Sequence, residues 1–99
     1  MSNLNVDHTK IEDFCRKHGI DFLGVFGSIA RGDANIDSDV DLLVRYRDGV
    51  YPSLFEKSDL ERSLGQSFGR RVDLVPQEFV DPLIKDKIYS DLQPLYGNP

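Results

Sequence analysis

The apolar segment 20–26 stops at Gly27-Ser28, and after ten intervening residues the chain reads Asp39-Val40-Asp41. This spacing constrains the fold because it places a tight turn and a short helix between two strands. Glycine at the turn lets a phosphate approach the main chain closely. Ser28 is predicted to lie at the N-terminus of the short helix, where unpaired amide N–H groups favour an anion and its hydroxyl adds another donor. The turn is therefore predicted to hold a triphosphate.

Asp39 and Asp41 belong to a strand pattern over 39–45, in which residues two apart project from the same face. Two neighbouring carboxylates repel each other and are costly to desolvate, so a cation usually offsets them. Magnesium suits such hard oxygen ligands. Asp73 is a third acid, and it interrupts the apolar strand pattern 71–75. Three carboxylates predict a site for two Mg²⁺ ions about 3.5–4 Å apart, the arrangement used for in-line displacement at a phosphate.

Simpler interpretations of these acids compete with the metal site. Ser38-Asp39 could cap a turn, and an acid at a strand edge can discourage pairing with another chain. These interpretations account for Asp39 better than for Asp41. They account neither for Asp73 inside an apolar strand nor for the Gly27 turn at this distance. A shared metal site is therefore the favoured interpretation.

The sequence leaves more than one role for the charged residues near these motifs. Arg31 either binds a phosphate or supports the loop by pairing with Asp33 or Asp37, and the two alternatives are equally supported. Asp33 and Asp37 are interpreted as solvated acids. Arg70 and Arg71 are interpreted as the solvated start of a strand.

These motifs resemble the minimal nucleotidyltransferases of the DNA polymerase beta superfamily, whose signature is Gly-Ser, a ten-residue gap, Asp-x-Asp and a later Asp. The segments 26–32, 38–44 and 71–75 carry the resemblance. It implies the palm-like nucleotidyltransferase fold of that superfamily. It also implies catalytic and metal-binding roles for Asp39, Asp41 and Asp73, and nucleotide-binding roles for Gly27, Ser28 and Arg31.

Small stand-alone members of this family are commonly antitoxins paired with a HEPN-domain ribonuclease toxin, and some transfer AMP from ATP to a toxin tyrosine. The resemblance therefore implies a protein adenylyltransferase antitoxin that uses ATP and two Mg²⁺ ions and forms a hetero-oligomer with its toxin. One alternative is a binding-only antitoxin that neutralises the toxin by covering it. Another is a nucleotidyltransferase that modifies a small hydroxylated molecule such as an aminoglycoside.

Length and charge limit the number of domains and the kinds of partner that the sequence predicts. The 99 residues predict a single domain, 1–99, with a small core. The net charge is −5, and without the three proposed ligands 14 acids still face 12 bases. No direct nucleic-acid binding is expected, because that needs a concentrated basic surface. The sequence shows no membrane span and no secretory leader, so the cytoplasm is expected.

The fold is predicted to be α/β (α+β), with a small mixed sheet of three or four strands and helices packed on one face. Strands 39–45 and 71–75 must be neighbours if the three acids are to converge. Cys15 is expected inside the first helix, and Ile84 and Ile88 are expected to form the inward stripe of the last one. The predicted elements are a helix over 8–18 between Asp7 and Gly19, a strand over 20–26, the short helix, the two later strands, a helix opened by Ser53 and ended by Gly69, a helix opened by Asp81-Pro82, and a short final strand.

Overall fold

The computed structural model describes residues 6–99 and confirms the predicted order of elements. The second and third strands each lie one residue later than predicted, which is within the usual uncertainty of element ends. The elements are α1 (His8–His18), β1 (Ile20–Phe26), α2 (Gly27–Arg31), β2 (Val40–Tyr46), α3 (Leu54–Phe68), β3 (Val72–Pro76), a 3₁₀ turn (Gln77–Phe79), α4 (Pro82–Asp91) and β4 (Gln93–Tyr96).

The helices begin at the capping residues that the sequence predicts. The Asp7 carboxylate accepts hydrogen bonds from the backbone N–H groups of Thr9 and Lys10, at 3.1 and 3.2 Å. Ser53 and Glu56 form a capping box, in which each side chain accepts from the backbone N–H of the other residue. These contacts satisfy N–H groups that the first turn of a helix leaves without partners.

The four strands form one mixed sheet in the order β3-β2-β1-β4. β1 runs antiparallel to both β2 and β4, whereas β2 and β3 are parallel. The predicted mixed sheet is confirmed, as is the adjacency of β2 and β3. This adjacency places the strands that carry Asp41 and Asp73 side by side.

One face of the sheet carries the main core, to which α1, α2 and α3 contribute. Cys15 is fully buried there, as predicted, and burial raises the pKa of its thiol to about 12. The buried residues of this cluster, called the main core below, are Ile11, Cys15, Ile20, Leu23, Val25, Ile29, Ala30, Val40, Leu42, Val44, Leu60, Leu64, Val72 and Leu74.

The other face of the sheet is partly covered by α4, so the prediction that all helices pack on one face is wrong. The buried residues there are Phe22, Leu43 and Ile88. Phe22 and Leu43 are apolar residues of central strands, and leaving them in water would be unfavourable, so α4 packs over them. Ile88 makes that contact as predicted. Ile84 does not point inward, because its side chain is 51% exposed.

Across residues 6–99, every helix is too short or too polar to cross a membrane.

Candidate active site

Asp41 and Asp73 occupy directly paired positions on the parallel strands β2 and β3. Their neighbours Leu42 and Leu74 are also paired, and both are buried in the main core. Because side chains alternate along a strand, the two carboxylates project together from the opposite face. The sheet therefore brings two of the three predicted acids side by side.

The ionised form of Asp41 is disfavoured in this position. Partial burial raises its pKa, and the negative charges of Asp73 and then Asp39 raise it further. The positive charge of Arg31 acts in the opposite sense and lowers the pKa. A carboxylate that is half-buried beside like charges is relieved when a cation binds.

The turn after β1 lies against Asp41. Phe26, the last residue of β1, pairs with Asp41 across the antiparallel ladder. Gly27 follows with a φ of +77°, and a Cβ atom there would lie 2.6 Å from Oδ2 of Asp41. Only glycine fits both the backbone conformation and this close approach. The turn and the acidic pair therefore form one continuous site.

Ser28 and Arg31 lie on the short helix α2, next to this turn. The helix begins at Gly27 and its first residues have no side-chain cap, so the Ser28 hydroxyl is not used to cap the helix. Arg31 donates hydrogen bonds to Asp33 (Nε to Oδ2, 3.1 Å) and to Asp91 (Nη1 to Oδ2, 2.8 Å). The pairing of Arg31 with Asp33 was one of the two predicted alternatives, and the Arg31 side chain remains 39% exposed.

Asp39 differs from the other two acids. It precedes the first residue of β2, its side chain is 44% exposed, and its Oδ1 lies 3.8 Å from Nε of Arg71. In residues 6–99, no three His, Cys, Asp or Glu side chains lie close enough together to hold one metal ion. The structure therefore pairs Asp41 with Asp73, and the three-ligand set that includes Asp39 stays a prediction.

The Asp41–Asp73 pair nevertheless fits a divalent cation. Its donors are carboxylate oxygens, which Mg²⁺ prefers, and magnesium sites commonly use one or two carboxylates together with substrate phosphates. Burial and the neighbouring charges of Asp73 and Asp39 raise the pKa of Asp41, and a bound cation would offset both effects. Both the donor chemistry and the electrostatics of the pair suit such an ion.

Arg70 has a role that the sequence did not reveal. It was predicted to lie in solvent at the start of a strand, but it is half-buried. Its Nη1 donates to the backbone carbonyls of Asn35 (2.9 Å) and Ser38 (3.0 Å). Arg70 thereby fixes the loop that leads into Asp39. Arg71 is exposed, as predicted.

Two further contacts to α2 come from the end of the chain and were also missed. Asp91 pairs with Arg31, and Gln93 donates from Nε2 to the carbonyl of Ala30 at 2.9 Å. One signal was available for Asp91. A carboxylate in the last turn of a helix is disfavoured by the helix dipole, so pairing with a cation would stabilise it.

Residues 9–95 match the model of the nucleotidyltransferase domain family. The chain belongs to this family. The predicted resemblance to nucleotidyltransferases is thereby confirmed. A protein of Methanocaldococcus jannaschii that bears the provisional name protein adenylyltransferase is 34% identical over 89 residues, which cover 90% of this chain and 94% of that protein.

Solved structures of nucleotidyltransferases have the same fold. A provisionally named minimal nucleotidyltransferase aligns with a TM-score of 0.72 at 33% identity, over 88% of this chain and 87% of the other. A chain in the structure of a tri-AMPylated Shewanella oneidensis HEPN toxin in complex with MNT antitoxin aligns with a TM-score of 0.66 at 19% identity, over 92% and 70%. The mixed α/β fold is therefore that of the minimal nucleotidyltransferases, as predicted.

Proposed function

We propose that this chain is the antitoxin of a HEPN toxin–antitoxin pair and transfers AMP from ATP to a tyrosine hydroxyl of the toxin. The observation that carries the proposal is the Asp41–Asp73 pair beside the Gly27 turn. The named activity of the M. jannaschii relative and the AMPylated toxin in the S. oneidensis complex support the choice of reaction and partner. Residues 1–99 are proposed to act as one nucleotidyltransferase domain.

The proposed step is an in-line displacement. The tyrosine oxygen forms a bond to the α-phosphorus of ATP, the bond from that phosphorus to the oxygen bridging the β-phosphate breaks, and pyrophosphate leaves. The tyrosine proton passes to Asp73, which is exposed on the face of the sheet that carries the acidic pair. The products are an AMP–tyrosine phosphodiester and pyrophosphate.

The chain's own residues supply binding and orientation. Asp39, Asp41 and Asp73 would hold two Mg²⁺ ions, which when bound neutralise phosphate charge and acidify the attacking hydroxyl. Gly27 allows the triphosphate to approach the main chain, and the Ser28 hydroxyl donates to it. Holding the α-phosphate and the hydroxyl in line is the larger contribution, because fixed geometry removes most of the entropic cost of the reaction.

Adenylylation would inhibit a ribonuclease for electrostatic and steric reasons. The added phosphodiester brings negative charge to a surface that must accept an RNA backbone, and the adenosine occupies space there. Because the bond is covalent, the inhibition persists after the two proteins separate.

The test is label transfer from ATP labelled at the α-phosphate, in the presence of Mg²⁺ and the purified toxin. The wild type should label the toxin, and labelling should fail with EDTA. Asp39→Ala/Asp41→Ala should reduce the rate by at least about a hundredfold, because it removes ligands of the metal. Asp37→Ala is the matched control, because it removes an exposed acid from the loop just before the site.

Each other outcome selects a different function. If neither wild type nor double variant transfers label, yet both neutralise the toxin, the chain is a binding-only antitoxin. If label appears on an aminoglycoside without any toxin present, the acceptor is a small molecule. Label on a toxin whose tyrosines are replaced by phenylalanine would contradict the proposed acceptor.

A further inference from the structure

We infer that Asp91 is a positioning residue for the nucleotide, acting by holding the Arg31 guanidinium beside the Asp41–Asp73 pair. The inference rests on the proposed function, and it assigns a role to the end of α4, about fifty residues away from the acidic motif in sequence. It starts from the Arg31–Asp91 ion pair, which joins two residues that are 60 positions apart.

The two carboxylates on Arg31 are not equivalent. The Asp91 side chain is 14% exposed and lies 2.8 Å from Nη1, whereas the Asp33 side chain is 60% exposed and lies 3.1 Å from Nε. Shielding from water strengthens an ion pair's hold on its geometry, and an exposed pair contributes little. Asp91 is therefore the partner that fixes the direction of the guanidinium.

The backbone of α2 is fixed from the same place. Gln93 lies two residues after Asp91, pairs with Val25 of β1, and donates to the carbonyl of Ala30. The junction of α4 and β4 thus contacts α2 once through the main chain of Ala30 and once through the side chain of Arg31. The Gln93 contact fixes the main chain next to Arg31, and the Asp91 contact fixes the direction of its guanidinium.

The restrained guanidinium keeps donors available for a ligand. Arginine carries five N–H groups. Among the described residues, Arg31 uses the N–H of Nε and one of the two N–H groups of Nη1, and 39% of its side chain is exposed. Arg31 lies on α2 four residues after Gly27, whose Cβ position would be 2.6 Å from Oδ2 of Asp41. A cation placed there can bind the phosphates of a nucleotide that lies between the turn and the acids.

The restraint also protects the acids. Without Asp91, only the exposed Asp33 would hold the guanidinium, and it could turn toward the acidic pair, whose mutual repulsion favours a cation. Such a pair would neutralise the proposed metal ligands and remove a phosphate donor at the same time. Asp91 therefore keeps a cation close to the acidic pair and prevents it from occupying that pair.

The experiment measures the affinity of the magnesium complex of a non-hydrolysable ATP analogue by calorimetry. Asp91→Asn should weaken binding about tenfold, because a guanidinium that has lost its charged partner should lose one charge-assisted hydrogen bond to the phosphates. Asp33→Asn, the matched control on the exposed side of Arg31, should stay within about twofold. Arg31→Ala should weaken binding at least as much as Asp91→Asn.

A double variant separates positioning from a general structural role. If Asp91 acts through Arg31, adding Asp91→Asn to Arg31→Ala should cause no further loss of affinity. An equal further loss in that background, or wild-type affinity in Asp91→Asn, would overturn the inference and leave the proposed function intact. A wild type that binds no nucleotide at all would overturn the proposed function itself, and with it this inference.

Discussion

The two faces of the sheet are built from the same strands but serve different purposes. Among residues 6–99, the face that carries the main core buries fourteen residues, whereas the opposite face, which carries the acidic pair and is called the site face below, buries three. β2 shows the contrast within one strand, since Val40, Leu42 and Val44 belong to the main core, and Asp41 and Leu43 point to the site face. The apolar packing that stabilises the fold is therefore concentrated on one face, and the acidic residues of the candidate site lie on the other.

This division explains how a chain of 99 residues tolerates adjacent acids. Placing Asp41 and Asp73 side by side is unfavourable, and burial makes it worse. The fold tolerates this cost because Leu42 and Leu74, the next residues of the same strands, are almost completely buried in the main core and stabilise it. The comparison predicts that substitutions on the two faces will affect different properties.

The largest separation of the two properties is expected from a pair of glycine substitutions. Gly27→Ala and Gly32→Ala both place a side chain at positive φ, +77° and +81°, which costs about 1–2 kcal/mol of stability in each. Only at Gly27 would the new Cβ collide with Asp41, since Gly32 has no atom within 4 Å of that position. We expect Gly27→Ala to reduce AMP transfer about a hundredfold through displacement of the carboxylate, and Gly32→Ala to keep most of its activity.

Label transfer and urea unfolding of both glycine variants check this expectation. An equal loss of activity in the two would mean that strain in α2, and not the contact with Asp41, is what the site cannot tolerate.

Leu42 and Leu43 provide a matched pair for stability, because they are adjacent, identical and fully buried on opposite faces. Leu42→Ala should lower the free energy of unfolding by about 3–4 kcal/mol, because the surrounding main core cannot collapse into the cavity. Leu43→Ala should cost about 2 kcal/mol, because α4 can move to fill the gap. Only Leu43→Ala should also reduce transfer, since Leu43 supports the face that carries Asp41.

Urea unfolding at equilibrium gives both free energies, and label transfer in the absence of urea gives the activities. Equal costs for the two leucines would show that the site face is as tightly packed as the main core, which would contradict the division between the faces.

Local sequence signals were sufficient for most of the fold. Asp7, Ser53 and Asp81 cap their helices as predicted, because a cap depends only on the next two or three residues. The alternation in β2 and β3 was enough to place Asp41 and Asp73 on one face, and their pairing followed once the two strands were adjacent. These features depend on short-range chemistry that a sequence displays directly.

The features that were not predicted depend on distant parts of the chain. The face on which α4 packs is decided by Phe22 and Leu43, and the partner of Arg31 is Asp91, 60 residues away. Ile84 followed the helical spacing of an inward residue, yet the small site-face cluster buries only Ile88 in that helix. Periodicity reports which helix positions are apolar, but it does not report how much surface a neighbour offers to cover them.

The smallest expected effect is a change in the pH dependence of stability when Asp41 loses its charge. The pKa of Asp41 in the folded protein is raised above its ordinary value of 3.8, so the folded state holds the proton more tightly than the unfolded chain does. Ionisation therefore lowers the free energy of unfolding as the pH rises from about 3.8 through the folded-state pKa. Asp41→Asn should be more stable than the wild type at pH 7, and the difference should vanish near pH 3.

Thermal unfolding between pH 3 and pH 8 measures this difference, with Asp37→Asn as a control for the change in net charge. Addition of magnesium chloride at pH 7 should narrow the gap by stabilising the wild type alone, because a ligand that binds only the folded state raises its stability. A variant less stable than the wild type at pH 7 without magnesium would mean that Arg31 already compensates the charge of Asp41. In that case repulsion between the acids would not be the force that attracts a cation to this face of the sheet.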